Sequence, residues 1–105
     1  MKRRKPVRRS KAVEPPMIVG LGWYVPVEWA KLKQVAADSK ALEDSYEEWL
    51  RGAERTEKSV ARPGLVIRRQ PIKVDELVAW CKAHKKAIDG AARAEYITEL
   101  MLRRL

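Results

Sequence analysis

Apolar residues recur at helical spacing in four segments of this chain, and the pattern predicts four helices. In the first segment, Trp29, Leu32 and Ala36 follow Pro26. A proline suits the first turn of a helix, because the N–H that it lacks would have no partner there. The other three segments begin near residues 46, 74 and 90, and each carries apolar residues along one face. These faces are expected to build the core.

Polar residues mark the ends of these segments. Ser45 and Glu48 stand three residues apart in SYEE, which predicts a capping box at the start of the second helix. Asp89 is placed to cap the last helix with its side chain. Pro63 and Gly64 are expected to end the second helix and to turn the chain.

Short apolar, β-branched runs predict one or two strands. LVIRR, residues 65–69, lies between Gly64 and Pro71, and residues 17–19 are a second candidate. One strand alone leaves backbone groups without partners, so LVIRR must pair either with residues 17–19 or with a second copy of the chain. Residues 17–27 are interpreted as core rather than as a signal sequence. The predicted fold class is α+β and mainly helical, with about four helices, one or two short strands and a strand-paired dimer as an option.

The positive charge is concentrated at the beginning of the sequence. The chain has 23 Lys and Arg against 14 Asp and Glu, a formal net charge of +9. We expect residues 1–16 to form a basic, flexible arm and residues 17–105 to form one small domain. A basic arm is typical of proteins that bind nucleic acid through its phosphates. The predicted phosphate-binding residues of the arm are Lys2, Arg3, Arg4, Lys5, Arg8, Arg9 and Lys11.

Cys81 and His84 are the residues that favour catalytic or metal-binding chemistry. They stand three apart in WCKAH, on one side of the predicted third helix. Zinc needs about four ligands, whereas this chain has one cysteine and one histidine. Structural packing of Cys81 is therefore the favoured interpretation. No cofactor or metal is expected, and the protein is predicted not to be an enzyme. An enzyme would place both side chains in one open cleft.

The same composition predicts a cytoplasmic protein without a membrane partner. A single cysteine precludes an intramolecular disulfide, which suits a reducing compartment. The apolar stretch at residues 17–27 is too short to span a bilayer.

Trp23, Tyr24 and Trp29 surround the predicted start of the first helix. Such rings can stack on nucleic-acid bases. A chain this short has few other large side chains for its interior, so the core is the favoured location. An exposed group of tryptophans would instead favour the alternative function, a protein–protein interaction module with a Trp-rich contact surface.

The element order from residue 65 onward resembles the ribbon-helix-helix family of DNA-binding proteins: a short strand, a helix with an acidic start, a turn and a second helix. In that family two chains pair their strands antiparallel, and the ribbon enters the major groove. The resemblance implies that Leu65 and Ile67 face the core, and that Val66, Arg68 and Gln70 face DNA. Arginine suits guanine and glutamine suits adenine. The other interpretation is that LVIRR is an ordinary strand of an α+β domain.

The family resemblance also implies that the amides of Gly90 and Ala91 hold a phosphate. The combination of DSYEEWL with VDELVAWC resembles small bacterial proteins, and that resemblance implies no established activity. The leading hypothesis is a non-enzymatic nucleic-acid-binding protein, a transcriptional regulator or an antitoxin-like dimer, with DNA favoured over RNA. Arg68 and Gln70 would then supply selectivity.

Overall fold

The computed structural model describes residues 16–104. Within this range the order is strand, two helices, strand, two helices, which confirms the mainly helical α+β fold. The predicted arm lies outside the described residues except for Pro16. The elements are β1 (Met17–Trp23), α1 (Pro26–Val35), a short 3-10 turn (Ser39–Ala41), α2 (Tyr46–Val60), β2 (Leu65–Pro71), α3 (Val74–Ala83) and α4 (Gly90–Arg103).

β1 and β2 form a parallel two-stranded sheet, with Met17 in register with Leu65. At one end of the ladder the N–H of Met17 donates to the carbonyl of Gly64 at 2.8 Å. At the other end the N–H of Ile72 donates to the carbonyl of Trp23 at 3.0 Å. β1 is therefore the partner of β2 in this chain, and it is longer than the three residues that the sequence predicted.

Helix α4 lies directly over β1, because two glycines remove the side chains that would hold it away. A Cβ at Gly20 would lie 2.6 Å from Cγ of Met101. A Cβ at Gly22 would lie 2.7 Å from Cδ1 of Ile97. Both distances are shorter than any ordinary contact, so a larger residue at either position would force Met101 or Ile97 of α4 to move.

Arg69 joins the opposite face of the sheet to α2. Its Nε and Nη2 donate to the two carboxylate oxygens of Glu57 at 2.7 and 2.8 Å. The guanidinium also lies 3.7 Å from the ring centroid of Trp23, a cation–π contact. Successive strand residues point to opposite faces, so α4 contacts one face of the sheet and α2 the other.

The core lies mainly among α1, α3, α4 and the residue that follows β1, Tyr24. Its most buried side chains are Leu32, Val74, Leu77 and Cys81, each at most 1 % exposed. The apolar stripe predicted for the third helix therefore faces the core, and Cys81 is a packing residue, as expected.

The predicted helix caps are confirmed. Ser45 Oγ accepts from the N–H of Glu48 at 3.1 Å, and Glu48 Oε1 accepts from the N–H of Ser45 at 3.2 Å. Asp89 Oδ1 accepts from the N–H of Ala92 at 2.9 Å. Gly64 adopts a φ of 83°, which the turn between α2 and β2 requires and which glycine tolerates best.

The start of β1 departs from the prediction that residues 17–27 are core. Met17 is 66 % exposed, Ile18 41 % and Val19 40 %. Tyr24 is the one buried residue of this segment, and Val25 and Val27 after it are exposed again. The apolar start of β1 thus lies at the surface.

Candidate functional site

β1 has a hydrogen-bonding edge that no strand within residues 16–104 covers. In a parallel ladder, alternate residues of a strand bond to the same neighbour. Met17 and Trp23 bond to the β2 side, so the odd-numbered residues of β1 face β2. Ile18, Gly20 and Gly22 therefore direct their N–H and C=O groups away from the sheet. This open edge has the geometry to receive a third strand.

The two outer edges of the sheet differ in charge and in backbone donors. MIVGLGW, residues 17–23, contains no charged residue. β2 carries Arg68 and Arg69, and Pro71 turns a nitrogen without hydrogen toward its outer edge. Charged residues and proline protect an edge strand against pairing. The outer edge of β2 is therefore protected, whereas the edge of β1 is not.

An apolar groove, which we call the edge groove, runs between β1 and the outer side of α4. Its volume is about 450 Å³. Leu102 projects there with 61 % of its surface exposed. The groove is lined by residues 18–22 of β1, by Arg68 and by Ala94, Ile97, Thr98, Met101 and Leu102 of α4.

A second groove lies on the opposite face of β1, against α2, and we call it the polar groove. Its volume is about 440 Å³. Leu21 and Gly22 supply its β1 wall, and the other lining residues include Glu43, Arg55, Thr56 and Ser59. A strand placed along β1 would thus meet an apolar wall on one face. On the other face the wall is mixed, with polar groups beside Leu21 and Gly22 and apolar side chains beside Met17 and Val19.

Arg68 is exposed and lines the edge groove. Among residues 16–104, none accepts a hydrogen bond or forms an ion pair with its guanidinium. Two nearby arginines do have partners, because Arg69 is paired with Glu57 and Arg104 donates to Gln70 Oε1 at 3.0 Å. The edge groove therefore contains a cation without a described partner.

Gln70 does not lie on the exposed side of β2, where the family resemblance had placed it. Its side chain is 9 % exposed, and its Nε2 donates to the carbonyl of Pro71 at 3.0 Å. Its oxygen accepts from Arg104. Both ends of the amide are therefore used inside the fold, and the prediction that Gln70 faces DNA is wrong for this chain.

The remaining predicted nucleic-acid residues are not brought together by the described structure. Lys2, Arg3, Arg4, Lys5, Arg8, Arg9 and Lys11 lie outside the described residues. At the start of α4, the side chain of Asp89 caps the helix and puts a carboxylate beside the amides of Gly90 and Ala91. This negative charge disfavours a phosphate at that position.

Cys81 and His84 do not share a cleft. Burial, the largest influence, raises the pKa of the Cys81 thiol, which is 1 % exposed. His84 is exposed, and its ring stacks on Trp80 with centroids 4.3 Å apart. Its Nδ1 lies 2.8 Å from the Trp80 carbonyl, so it donates there. The thiol and the imidazole therefore have separate structural roles.

The tryptophans do not form an exposed contact surface. Trp29 is 4 % exposed and stacks on the half-buried Trp49, with centroids 5.5 Å apart. Trp23 and Tyr24 pack edge-on against Trp49. Burial raises the pKa of Tyr24 to about 12. These aromatic residues belong to the core and its border, as the sequence favoured.

Comparison of this chain with protein-family models, with curated proteins and with solved structures finds no match. No helix within residues 16–104 has the length and apolar character needed to cross a membrane. The same part of the chain contains no group of three or more His, Cys, Asp or Glu side chains arranged to hold a metal ion.

The sequence contained a signal for the open edge that the predictions missed. MIVGLGW lacks any charge and places glycine at two alternate positions, 20 and 22. Alternate glycines in a strand indicate close approach of another backbone or helix. Gly20 and Gly22 therefore allow α4 to approach one face of β1, and they also mark the strand whose edge is open.

Proposed function

We propose that this protein is a non-catalytic protein-interaction module that binds an extended polypeptide segment as a third strand along β1. The observation that carries the proposal is the open, uncharged edge formed by Ile18, Gly20 and Gly22. The contact surface differs from the Trp-rich one expected from the sequence, because the tryptophans lie in or near the core.

The small size of this sheet supports the proposal. Parallel sheets are usually covered on both faces and contain more than two strands. Here a helix contacts each face, but part of the sheet stays exposed and it stops after β1. Strand addition lets main-chain hydrogen bonds supply affinity, while side chains on the two faces supply specificity. The edge groove and the polar groove provide those two faces.

The test removes one outward backbone donor from either edge of the sheet. Ile18→Pro deletes an N–H on the open edge of β1, and the matched control Ile67→Pro deletes one on the outer edge of β2. Peptides are first selected by phage display on the full chain, and their affinities for the three proteins are then measured by calorimetry. Circular dichroism checks that both variants fold.

Ile18→Pro is expected to weaken peptide binding by about tenfold, the equivalent of one net hydrogen bond. Ile67→Pro should leave it unchanged. In the unaltered protein, binding should slow hydrogen exchange at the amides of Ile18, Gly20 and Gly22. The proposal fails if no peptide is enriched, or if those amides exchange as fast with peptide as without it.

A second binding activity, for nucleic acid, is favoured by the charge of the arm. Seven of the first eleven residues are Lys or Arg, whereas the rest of the chain has 16 bases against 14 acids. Such a segment binds phosphates with little sequence preference and an affinity that falls steeply with salt. Arg68, exposed on β2, is the remaining candidate for a base or phosphate contact.

Full-length protein and a form lacking residues 1–11 can be titrated with duplex DNA and single-stranded RNA at several salt concentrations. The expected result is binding by the full-length protein alone, weakening as salt rises. Absence of binding at low salt, or equal binding by both forms, contradicts a role for the arm.

A further inference from the structure

We infer that the segment that pairs with β1 belongs to another protein and carries a carboxylate that meets Arg68 in the edge groove. This inference rests on the proposed function and names the chemistry of its partner. The segment is extended and apolar for the rest of the face that enters the edge groove. Its opposite face is polar where it meets the polar groove.

A second copy of this chain is a poor occupant of the edge. In an antiparallel pair, two copies of β1 would lie about 5 Å apart. The dyad of such a pair is perpendicular to the sheet, so both copies of α4 would lie on the same face. α4 lies directly over β1, as its contacts at Gly20 and Gly22 require. The two helices would then be much closer than the roughly 8–10 Å between packed helices. A segment without a helix of its own avoids this clash.

The positive charge of Arg68 in the edge groove favours segments that carry an acidic residue. Arg68 lines an otherwise apolar groove, and no described side chain neutralises it. Arg69 and Arg104 differ from it, because Glu57 binds the first and Gln70 the second within the fold. A carboxylate placed in the groove would pair with Arg68 in a charge-assisted hydrogen bond, which is stronger than a neutral one. The net charge of +9 also attracts an acidic partner at long range.

The two faces of the added strand predict which kinds of side chain the bound segment carries at alternate positions. Successive side chains of the added strand point to opposite faces. One set meets Ala94, Thr98 and Leu102 in the edge groove, where aliphatic residues and one acid fit. The other set meets Arg55 and Thr56 in the polar groove, where polar residues fit, and an apolar wall toward the start of β1. The chain's own first eleven residues lack this pattern, because seven of them are basic and none is acidic.

The test uses the display-selected peptides and a mutant cycle. Each acidic residue of the tightest peptide is replaced by its amide, and affinity is measured for the unaltered protein, Arg68→Gln and the matched control Arg51→Gln, an exposed arginine of α2 that lies outside both grooves. One acid-to-amide change should weaken binding about tenfold to the unaltered protein and to Arg51→Gln. The same change should have little effect on Arg68→Gln, because the partner of the carboxylate is already gone.

These measurements separate failure of the proposed function from failure of the inference about its partner. If selected peptides lose affinity for Ile18→Pro but show no acid coupled to Arg68, strand addition stands and the inference about the partner is wrong. If binding is insensitive to Ile18→Pro and leaves the β1 amides unprotected, the proposed function itself is wrong. If sedimentation detects a dimer that Ile18→Pro dissociates, the occupant is a second copy, and the inference is overturned.

Discussion

Glu28 in α1 caps the start of α3 by accepting a hydrogen bond from the N–H of Val74. The distance from Oε1 to the backbone nitrogen is 2.7 Å, and Glu28 is only 9 % exposed. A carboxylate at this end of a helix satisfies a free N–H and interacts favourably with the helix dipole. This contact joins two helices that are separated in sequence by α2 and β2.

Removal of this cap should destabilise the fold. Glu28→Ala leaves the buried N–H of Val74 without an acceptor, and we expect a loss of about 1–3 kcal/mol in the free energy of unfolding, measured by urea denaturation. Glu28→Gln keeps an acceptor and should lose less. Glu47→Ala, an exposed acidic residue in the first turn of α2, is the control, with an expected change within about 0.5 kcal/mol. Equal losses for Glu28→Ala and Glu47→Ala would contradict the role of the cap.

Asp38 and Arg93 should make stability depend on pH in the acid range. Arg93 Nη1 and Nη2 donate to the two Asp38 oxygens at 2.9 and 2.8 Å, and the Arg93 side chain is 13 % exposed. The hydrogen bonds from Arg93 are the main cause that lowers the pKa of Asp38 below its ordinary 3.8. The stabilisation is therefore complete above the ordinary value and is lost as the pH falls through the lowered one.

Asp38→Asn should reduce the free energy of unfolding by about 1.5–3 kcal/mol at neutral pH, the range for hydrogen bonds to charged groups. The difference between the two proteins should shrink as the pH is lowered below 3.8. Thermal melts across this range provide the measurement. A difference that stays constant down to the lowest pH would show that the ionised carboxylate is not what stabilises the contact.

Adding a side chain should lower the stability of the fold at Gly20 and raise it at Gly52. At Gly20 a Cβ would lie 2.6 Å from Met101 Cγ, and Gly20→Val should cost at least about 1–3 kcal/mol because it overpacks the contact with α4. At Gly52, inside α2, the nearest atom to a new Cβ is 3.8 Å away. Gly52→Ala should therefore stabilise by about 0.5–1 kcal/mol through helix propensity. Denaturant midpoints compare the two, and destabilisation by both would refute the assignment at Gly52.

Cys81 should react slowly with thiol reagents while the protein is folded. It is 1 % exposed, and burial raises the pKa of its thiol, so little thiolate is present and reagents reach it poorly. Denaturant should restore the rate of an ordinary cysteine. A Leu102→Cys, Cys81→Ala variant supplies an exposed comparison, since Leu102 is 61 % exposed. Fast labelling of Cys81 in the native protein would contradict its role as a packing residue.

Local signals in the sequence predicted much of the fold. Pro26, the Ser45–Glu48 capping box and Asp89 act within one turn of their own helices, and each lies where expected. The cap from Glu28 to Val74 was not predictable in this way, because its two ends meet only after the tertiary fold has formed. Local rules describe a helix end, whereas a distant acceptor requires the packing of whole elements.

The candidate site was harder to predict for the same reason. The family resemblance implied that Arg68 faces away from the core, and Arg68 is exposed. The resemblance also put Gln70 outside, but Gln70 is buried and Arg104 bonds to its amide. The edge of β1 is open because β2 pairs with its other edge. The sequence of residues 65–71 does not by itself determine which strand pairs with β2.

The parallel register also has a consequence for the order of folding. Because Met17 pairs with Leu65, a long loop that contains two helices must close before any rung of the sheet can form. Contacts so distant in sequence slow folding, so we expect the helices to form before the sheet. Until β2 is in place, neither edge of β1 has a partner strand. This uncharged segment is therefore the part of the folding chain most open to pairing with other molecules, and aggregation should compete with the last step of folding.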